Sequence, residues 1–297
     1  MIDPRALKVF LAVCRANSIS GGARLLNISQ PSVSNTISNL EAVIGSSLFE
    51  RARSGIVLTP EGEVLLRRAE AIDSLLRDAE EEIRLVRDDM IGPLRVGGTP
   101  GALVSLLPDA VRRLETRVGR FSLHVIERSD AELIEMLRRG EIELAFVTTG
   151  IEEPAEGIEE ITLSQDPFAL VVGPRNDHLP SEVSLESVAA KQWVLPEARG
   201  AFRRQIDALF LGADVPVPGD AIRCDSLLAT KAIVRGGARM TILPMKVIAA
   251  ELSIGVLRAI TIREAIFPRN VGVRRLAGGR PSRLAQELLA VLQPKAI

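Results

Sequence analysis

Between Gly62 and Gly92 the chain contains neither glycine nor proline, a run long enough for roughly eight helical turns. Thr59 and Pro60 supply a helix start, a capping hydroxyl followed by a first-turn proline. Within the run Leu65, Ala69, Ile72, Leu76, Ala79, Ile83, Val86 and Met90 recur at spacings of 4, 3, 4, 3, 4, 3 and 4. That is a heptad seam, the pattern of a helix that pairs with another helix. A helix lying only on its own domain would show a wider stripe with a 3.6 period. Leu66, Leu75 and Leu85 widen the seam, so contact with the preceding region is expected as well. Ten acids against five bases in residues 61–91 disfavour nucleic-acid contact along its length. The chain therefore divides into residues 1–59, a connecting and dimerising helix at 60–91, and residues 92–297.

The amino-terminal region reads as three helices and a ribbon. Leu7, Phe10, Leu11 and Cys14 make an i, i+3, i+4, i+7 stripe. SGGARLLN follows as a short helix, with Leu25 and Leu26 as its inward candidates and Gly21 and Gly22 permitting close packing. In SQPSVSNTISNLEAVIG, Val33, Ile37, Leu40 and Ile44 share one face, while Asn35, Ser38 and Asn39 point away from it. Pro31 suits the first turn and Ser29 can cap it. A merely wet outer face would carry Lys and Glu, which favour helix, whereas Ser and Asn do not. Short amides and hydroxyls let a helix approach another surface closely, and Asn can contact adenine N6 and N7 in the major groove. Helix, short helix, turn and third helix is the helix-turn-helix order. LFERARSGIVLT then reads as a β-ribbon, a wing, with Arg51 and Arg53 near its tip. Six bases face three acids in residues 1–60, a local excess of +3 in a chain whose net charge is −1. Positive charge is concentrated where phosphates would need it.

This region resembles the winged helix-turn-helix of LysR-type transcriptional regulators. The resemblance rests on Phe10, SISGGA, SQPSVS, Ile37, Leu40-Glu41, Gly45, LFER and LTPEG, all in register. It implies that Gln30, Pro31, Ser32, Ser34, Asn35 and Ser38 face DNA, with Arg51 and Arg53 on the wing. Ile19 and Gly22 replace a Phe and an Ala at sites expected to face the core. Asn35 stands where many members carry a basic residue, so the base read there would differ.

From Leu94 onward, short apolar runs (LRVGG, FSLHVIE, IELAFVTT, FALVVG, MTILP, VGVRRL) alternate with amphipathic stretches, the βαβ signature of a parallel sheet. Two lobes are expected, one near 94–164 with 267–297 and one near 165–266. The resemblance extends here more loosely, to the family's effector-binding domain, similar in fold to periplasmic binding proteins. The fold class is thus α/β with an appended winged helix. The family implies a homodimer through residues 60–91, a homotetramer built from two dimers, a partly palindromic double-stranded operator and a small-molecule effector between the lobes.

In parallel sheets, ligands bind beyond the carboxyl ends of strands. This singles out Thr99, Pro100 and Gly101, Ser129 and Asp130, and Thr148 in the first lobe. Residues 199 to 202, including Phe202, and Asp225 face them in the second. Thr99 precedes a helix whose free N–H groups can hold an anion, or its hydroxyl simply caps that helix. Asp130 and Arg239 depart from the family pattern; they either pair with each other or read a polar or zwitterionic effector.

No elbow of the Gly-x-Ser-x-Gly type, phosphate loop or dinucleotide fingerprint occurs, so no catalytic residue and no cofactor is expected. The carboxylates Asp130, Glu132 and Glu135 suit a helix start. A solute-binding or enzymatic two-lobed protein with an accessory DNA-binding domain is the alternative. His124 and His178, the two histidines, have no partner at ligand spacing, so no metal is expected. Cys14 and Cys224, the two cysteines, read as passive thiols. Without a signal peptide or an apolar run of membrane-spanning length, the expected location is the cytoplasm.

Overall fold

Side-chain caps open each of the first four helices. Asp3 accepts the Arg5 amide at 2.9 Å before α1 (Pro4–Ala16), and Ser18 accepts that of Gly21 at 3.0 Å before α2 (Ile19–Leu26). Ser29 accepts that of Ser32 at 3.3 Å before α3 (Gln30–Ile44). Each cap satisfies an amide that has no partner within its helix. Leu7, Phe10, Leu11 and Val13 of α1 pack with Val33, Ile37 and Leu40 of α3 around Leu48. The contribution of α2 meets expectation at its glycines and differs from it at Leu25. Gly21, Gly22 and Ala23 are its buried residues, and Leu25 is 60% exposed. A Cβ on Gly22 would stand 2.8 Å from Val13 Cγ2, so backbone lies directly on α1 in the first turn of α2, and Leu25 falls beyond that contact.

The computed structural model describes residues 1–52, 55–197 and 200–293. They form two compact units, Met1–Asp88 with Arg138–Glu141, and Asp89–Leu137 with Ile142–Ile297. In the first, β1 (Phe49–Ala52) and β2 (Gly55–Leu58) pair antiparallel with Arg51 opposite Ile56. Thr59 accepts the Gly62 amide at 3.0 Å to open α4 (Pro60–Arg87), and its hydroxyl donates to the Ser47 carbonyl at 2.7 Å. Leu65, Leu66 and Ala69 pack on the helix-turn-helix core. Further along, Ile72, Leu76, Ile83 and Val86 of the heptad seam are exposed. The helix stops at Arg87, earlier than the seam suggested. Asp89 adopts a positive φ of 53°, which a right-handed helix cannot accommodate, so Met90 lies outside it. Burial, aided by the Glu70 carboxylate, pushes the Cys14 thiol up to about 12, leaving it protonated and unreactive near neutral pH.

In the second unit, the first lobe starts with β3 (Ile91–Gly98), α5 (Pro100–Val118), β4 (Phe121–Glu127), α6 (Asp130–Arg138), β5 (Leu144–Thr148) and β6 (Ile158–Asp166). The chain crosses into the second lobe at β7 (Phe168–Val172), β8 (Glu182–Val183), α7 (Leu185–Val188), β9 (Val194–Leu195), α8 (Ala201–Gly212) and β10 (Ile222–Arg223). That lobe ends with α9 (Leu227–Gly236), β11 (Met240–Pro244), α10 (Ala249–Ser253) and β12 (Arg258–Ile262). A second crossing returns it through β13 (Arg269–Leu276) and α11 (Arg283–Leu292). The first sheet has the order β4-β3-β5-β13-β6 and the second β11-β7-β12-β8, with a separate β10-β9 pair.

Neither sheet is wholly parallel, contrary to the βαβ reading. β13 runs antiparallel to β5 and β6, and β7 antiparallel to β11 and β12. These are the strands that enter directly from the other lobe. With no crossover helix to turn the chain round, each starts beside the cleft and runs away from it. The two lobes have separate cores, one around Leu94, Phe146, Val271 and Leu288, the other around Leu170, Trp193, Phe210 and Ile260.

Gly62 tests the packing of the first unit. A Cβ there would stand 2.2 Å from the Leu48 carbonyl oxygen, a backbone obstacle that cannot swing aside. Gly62→Ala should destabilise this unit by roughly 3 kcal/mol, the upper end of overpacking penalties. Hydrogen exchange of the α1 and α3 amides measures it; unaltered protection would contradict the packing described.

Candidate functional site

On α3, Gln30, Pro31, Ser32, Ser34, Asn35, Ser38 and Asn39 are all exposed, while Val33, Ile37 and Leu40 beneath them are buried. From Gln30 to Asn39 the exposed face therefore carries polar groups and a proline ring on a fixed support, and the exposed Val43 follows toward the helix end. Gln30 Oε1 accepts the Ser20 hydroxyl at 3.0 Å, which ties α3 to α2. Glu41 does not face outward with them. Its Oε1 accepts the Leu48 amide at 2.8 Å and anchors the chain entering the wing. Arg51 lies on β1; Arg53, and Arg199 of the ligand candidates, lie outside the described residues.

Between the two lobes of the second unit lies a cavity of about 390 Å³. Thr99, Pro100, Gly101, Ser129, Asp130, Thr148, Phe202 and Asp225 line it. Arg239 does not. It precedes β11, whose carboxyl end supplies Leu243 and Pro244 to the cavity, so Arg239 sits at the opposite end of that strand. Its Nη1 donates to the Trp193 carbonyl at 3.1 Å. Pairing between Asp130 and Arg239 is likewise corrected: the base beside Asp130 is Arg274, at 3.9 Å, whose Nε also donates to Glu160 at 2.7 Å.

Several lining groups are already committed. The Ser129 hydroxyl and amide donate to Glu132 at 2.6 and 3.0 Å, a capping box that opens α6. Those bonds hold the Glu132 carboxyl below its ordinary range. Asp225 Oδ1 accepts the Glu197 amide at 2.8 Å. Thr148 Oγ1 accepts Arg269 Nε–H at 2.9 Å. Thr99 is different: it holds the N-cap position of α5 but makes no side-chain cap, and its buried hydroxyl has no partner. The capping reading of Thr99 is thus corrected.

Arg269 was missed from the sequence. It is 2% exposed, it lines the cavity, and its Nη1 has no hydrogen-bond partner. Burial pushes its guanidinium down to about 10, opposed by the carboxylates of Asp166 and Asp130, so it is charged at neutral pH. Gly101 makes room for it: a Cβ there would lie 3.2 Å from Nη1. Asp166, wholly buried, faces Arg269 across the β6–β13 register. It accepts the Lys246 amide at 2.9 Å and the Ser105 hydroxyl at 3.1 Å, joining the two lobes at the first crossing. The apolar part of the cavity comes mostly from the second lobe, through Leu195, Phe202, Leu227, Leu243 and Val247.

Residues 87–296 match the family model described as the LysR substrate binding domain, and residues 4–63 that of the bacterial regulatory helix-turn-helix protein, lysR family. The chain belongs to the LysR family. It is a LysR-type transcriptional regulator whose helix-turn-helix region is its DNA-binding part and whose two-lobed region is its effector-binding part. It is 28% identical over 288 residues to the HTH-type transcriptional regulator PcaQ of Agrobacterium fabrum, covering 95% of this chain and 92% of that one. With YofA of Bacillus velezensis it shares 30% over 238 residues, 80% of this chain and 79% of that one. Full-length CbnR complexed with its target DNA superimposes with a TM-score of 0.70 at 22% identity, covering 98% of this chain and 99% of that one. A full-length OxyR variant from Pseudomonas aeruginosa gives 0.69 at 21%, covering 99% and 98%. PcaQ and YofA are named as transcriptional regulators, and CbnR as a LysR family transcriptional regulator. Among the described residues, no group of three or more His, Cys, Asp or Glu could hold a metal, and no helix is long and apolar enough to cross a membrane.

Asp166→Ala would strip acceptors from a buried amide and hydroxyl and remove a carboxylate that balances buried Arg269. The expected loss is about 3 kcal/mol or more. Chemical denaturation of the purified chain reads it directly. A loss under about 1 kcal/mol would show that Asp166 does not hold the crossing together.

Proposed function

We propose that this regulator reads a partly palindromic operator as a symmetric oligomer and is switched by a small molecule held between the lobes of its effector-binding part. In this reading residues 1–59 contact DNA, 60–91 pair two copies, and 92–297 bind effector, with lobes near 94–164 plus 267–297 and 165–266. The observation that carries it is the α3 face, seven exposed short or cyclic side chains over a packed core. Gln30, Ser32, Ser34, Asn35 and Ser38 contact base edges or the adjoining backbone, with Pro31 allowing close approach. Arg51 and Arg53 on the wing meet phosphates or the minor groove. Asn35→Ala should then cost roughly 1–3 kcal/mol on the cognate site and relax preference at one base pair. Arg53→Ala should weaken all sequences alike and flatten the salt slope by about one unit. Mobility-shift titrations on cognate and random duplexes at several salt concentrations separate the two; equal effects of both variants on both duplexes would contradict the division of labour.

Exposed seam residues on α4 support pairing of two copies, and a two-fold protein calls for a two-fold site. The family resemblance adds that two dimers make a tetramer. Ile83→Glu should split the assembly. Sedimentation velocity of the parent chain and this variant at micromolar concentration tests it, and a monomeric parent would end the proposal. The effector contacts are drawn from Thr99, Pro100, Gly101, Ser129, Asp130, Thr148, Phe202 and Asp225. Replacing Phe202 by Asp should abolish response of a reporter gene to whichever compound induces it. The chain acts without catalysis of its own, in the cytoplasm where its operator lies.

A further inference from the structure

Three residues that line the cavity each have a buried polar atom with no hydrogen-bond partner: Arg269 Nη1, Thr99 Oγ1 and Asp130 Oδ1. A buried polar atom left unpaired costs free energy, so three around one cavity mark a place built for something that pairs with them. Two can donate, and they share one locality. Thr99 precedes the first turn of α5, and the Arg269 guanidinium lies against Gly101 of that turn. Gly101 has the first amide of the helix, because Pro100 has none, and such an amide has no acceptor within its helix. A cationic fork, a hydroxyl and a helix amide together suit a carboxylate. The third atom belongs to an acid. Asp130 lies within electrostatic reach of Arg269 but does not pair with it; its nearest base is Arg274, which Glu160 also holds.

We infer that the effector is a small amino-carboxylate, with its carboxylate at Arg269 and Thr99, its protonated nitrogen at Asp130, and an apolar body against the second lobe. This deepens the reading of the cavity as the effector site and rests on it. A bare carboxylate would fill the donors yet leave Asp130 Oδ1 without a hydrogen bond, its charge partner being Arg274 at 3.9 Å, and add a negative charge to a cluster in which Asp130, Glu160 and Asp166 already face Arg269 and Arg274. An amine alone would leave Arg269 and Thr99 unpaired. A molecule carrying both charges satisfies all three atoms and leaves the cluster's net charge unchanged. The charged hooks come from the first lobe, and Leu195, Phe202, Leu227, Leu243 and Val247 of the second lobe supply the apolar wall, so binding draws on both lobes.

The test is calorimetric titration of the full chain with the apolar L-amino acids, and with matched compounds that lack one charged group. For L-leucine these are 4-methylpentanoate, without the amine, and 3-methylbutylamine, without the carboxylate. At least one apolar amino acid should bind, and each of its truncated analogues should bind roughly tenfold to hundredfold more weakly, the range for a charged hydrogen bond. Asp130→Asn should weaken the amino acid by a similar factor and spare the deaminated acid; Arg269→Gln and Thr99→Val should weaken both. Thr99→Val keeps the shape of the side chain, so it reports on the carboxylate end even if the arginine variant fails to fold. A deaminated acid that binds as well as its amino acid, through Arg269 and Thr99, would overturn the inference while leaving the cavity as the effector site. Failure of every apolar amino acid to bind at millimolar concentration would also overturn it. Binding that survives both Thr99→Val and Phe202→Asp would place the ligand outside the cavity and count against the effector site itself.

Discussion

The two chain crossings between the lobes fix what the cleft can be. Each crossing sends a strand directly from one sheet into the other, so β7 and β13 begin at the cleft and run away from it, against their neighbours. One crossing is bracketed by Asp166, the last residue of β6; the other ends at Arg269, the first of β13, and the two residues are register partners. A buried acid and a buried base are thereby placed opposite each other at the crossings, the base lining the cleft, without forming a direct ion pair. Asp166 is occupied by Lys246 and Ser105. Arg269 has Thr148 on Nε and nothing on Nη1. An isolated buried charge is expensive, and this one is tolerated because Asp166 and Asp130 balance it from a distance and leave one face open.

The polar and apolar duties of the cleft are divided between lobes. The first lobe brings Thr99, Asp130 and Arg269 together through the ends of β3, β4 and β13, on a sheet held by buried strands. The second offers leucine, phenylalanine and valine side chains. Only a ligand with different affinity for two lobe arrangements can shift their populations, and one that must touch both lobes to satisfy its two ends has that property. On the DNA-binding side a similar economy holds: Glu41, Thr59 and Gly62, which fix α3 and the wing, are distinct from the residues α3 exposes, and Gln30, held by Ser20, belongs to both sets.

The readable parts of the sequence were those governed by local chemistry. Ser29 and Thr59 as caps, the buried stripe of α3 and the start of α4 follow from spacing and side-chain type alone, and the structure has them so. Glycine packing was visible in outline: Gly21 and Gly22 permit the close packing that the structure has. Nothing in SGGARLL shows that this contact would be with Val13 and would leave Leu25 in water. The end of α4 depended on a backbone turn at Asp89, which the heptad count carried past. In the cleft, the rule of strand carboxyl ends pointed to Thr99, Asp130 and Thr148 because β3, β4 and β5 are parallel. It could not point to Arg269, which stands at the amino end of an antiparallel strand. Arg239 misled for a related reason: family position suggested it, while its place before β11 puts it at the wrong end of the strand.

The most direct measurement is a crystal structure of the full chain with the amino-carboxylate that binds it most tightly. The account predicts a carboxylate oxygen within roughly 2.7–3.2 Å of Arg269 Nη1 and of Thr99 Oγ1, with the ligand nitrogen at the same range from Asp130 Oδ1. A ligand seated with its carboxylate away from Arg269, or outside the cavity, would contradict it.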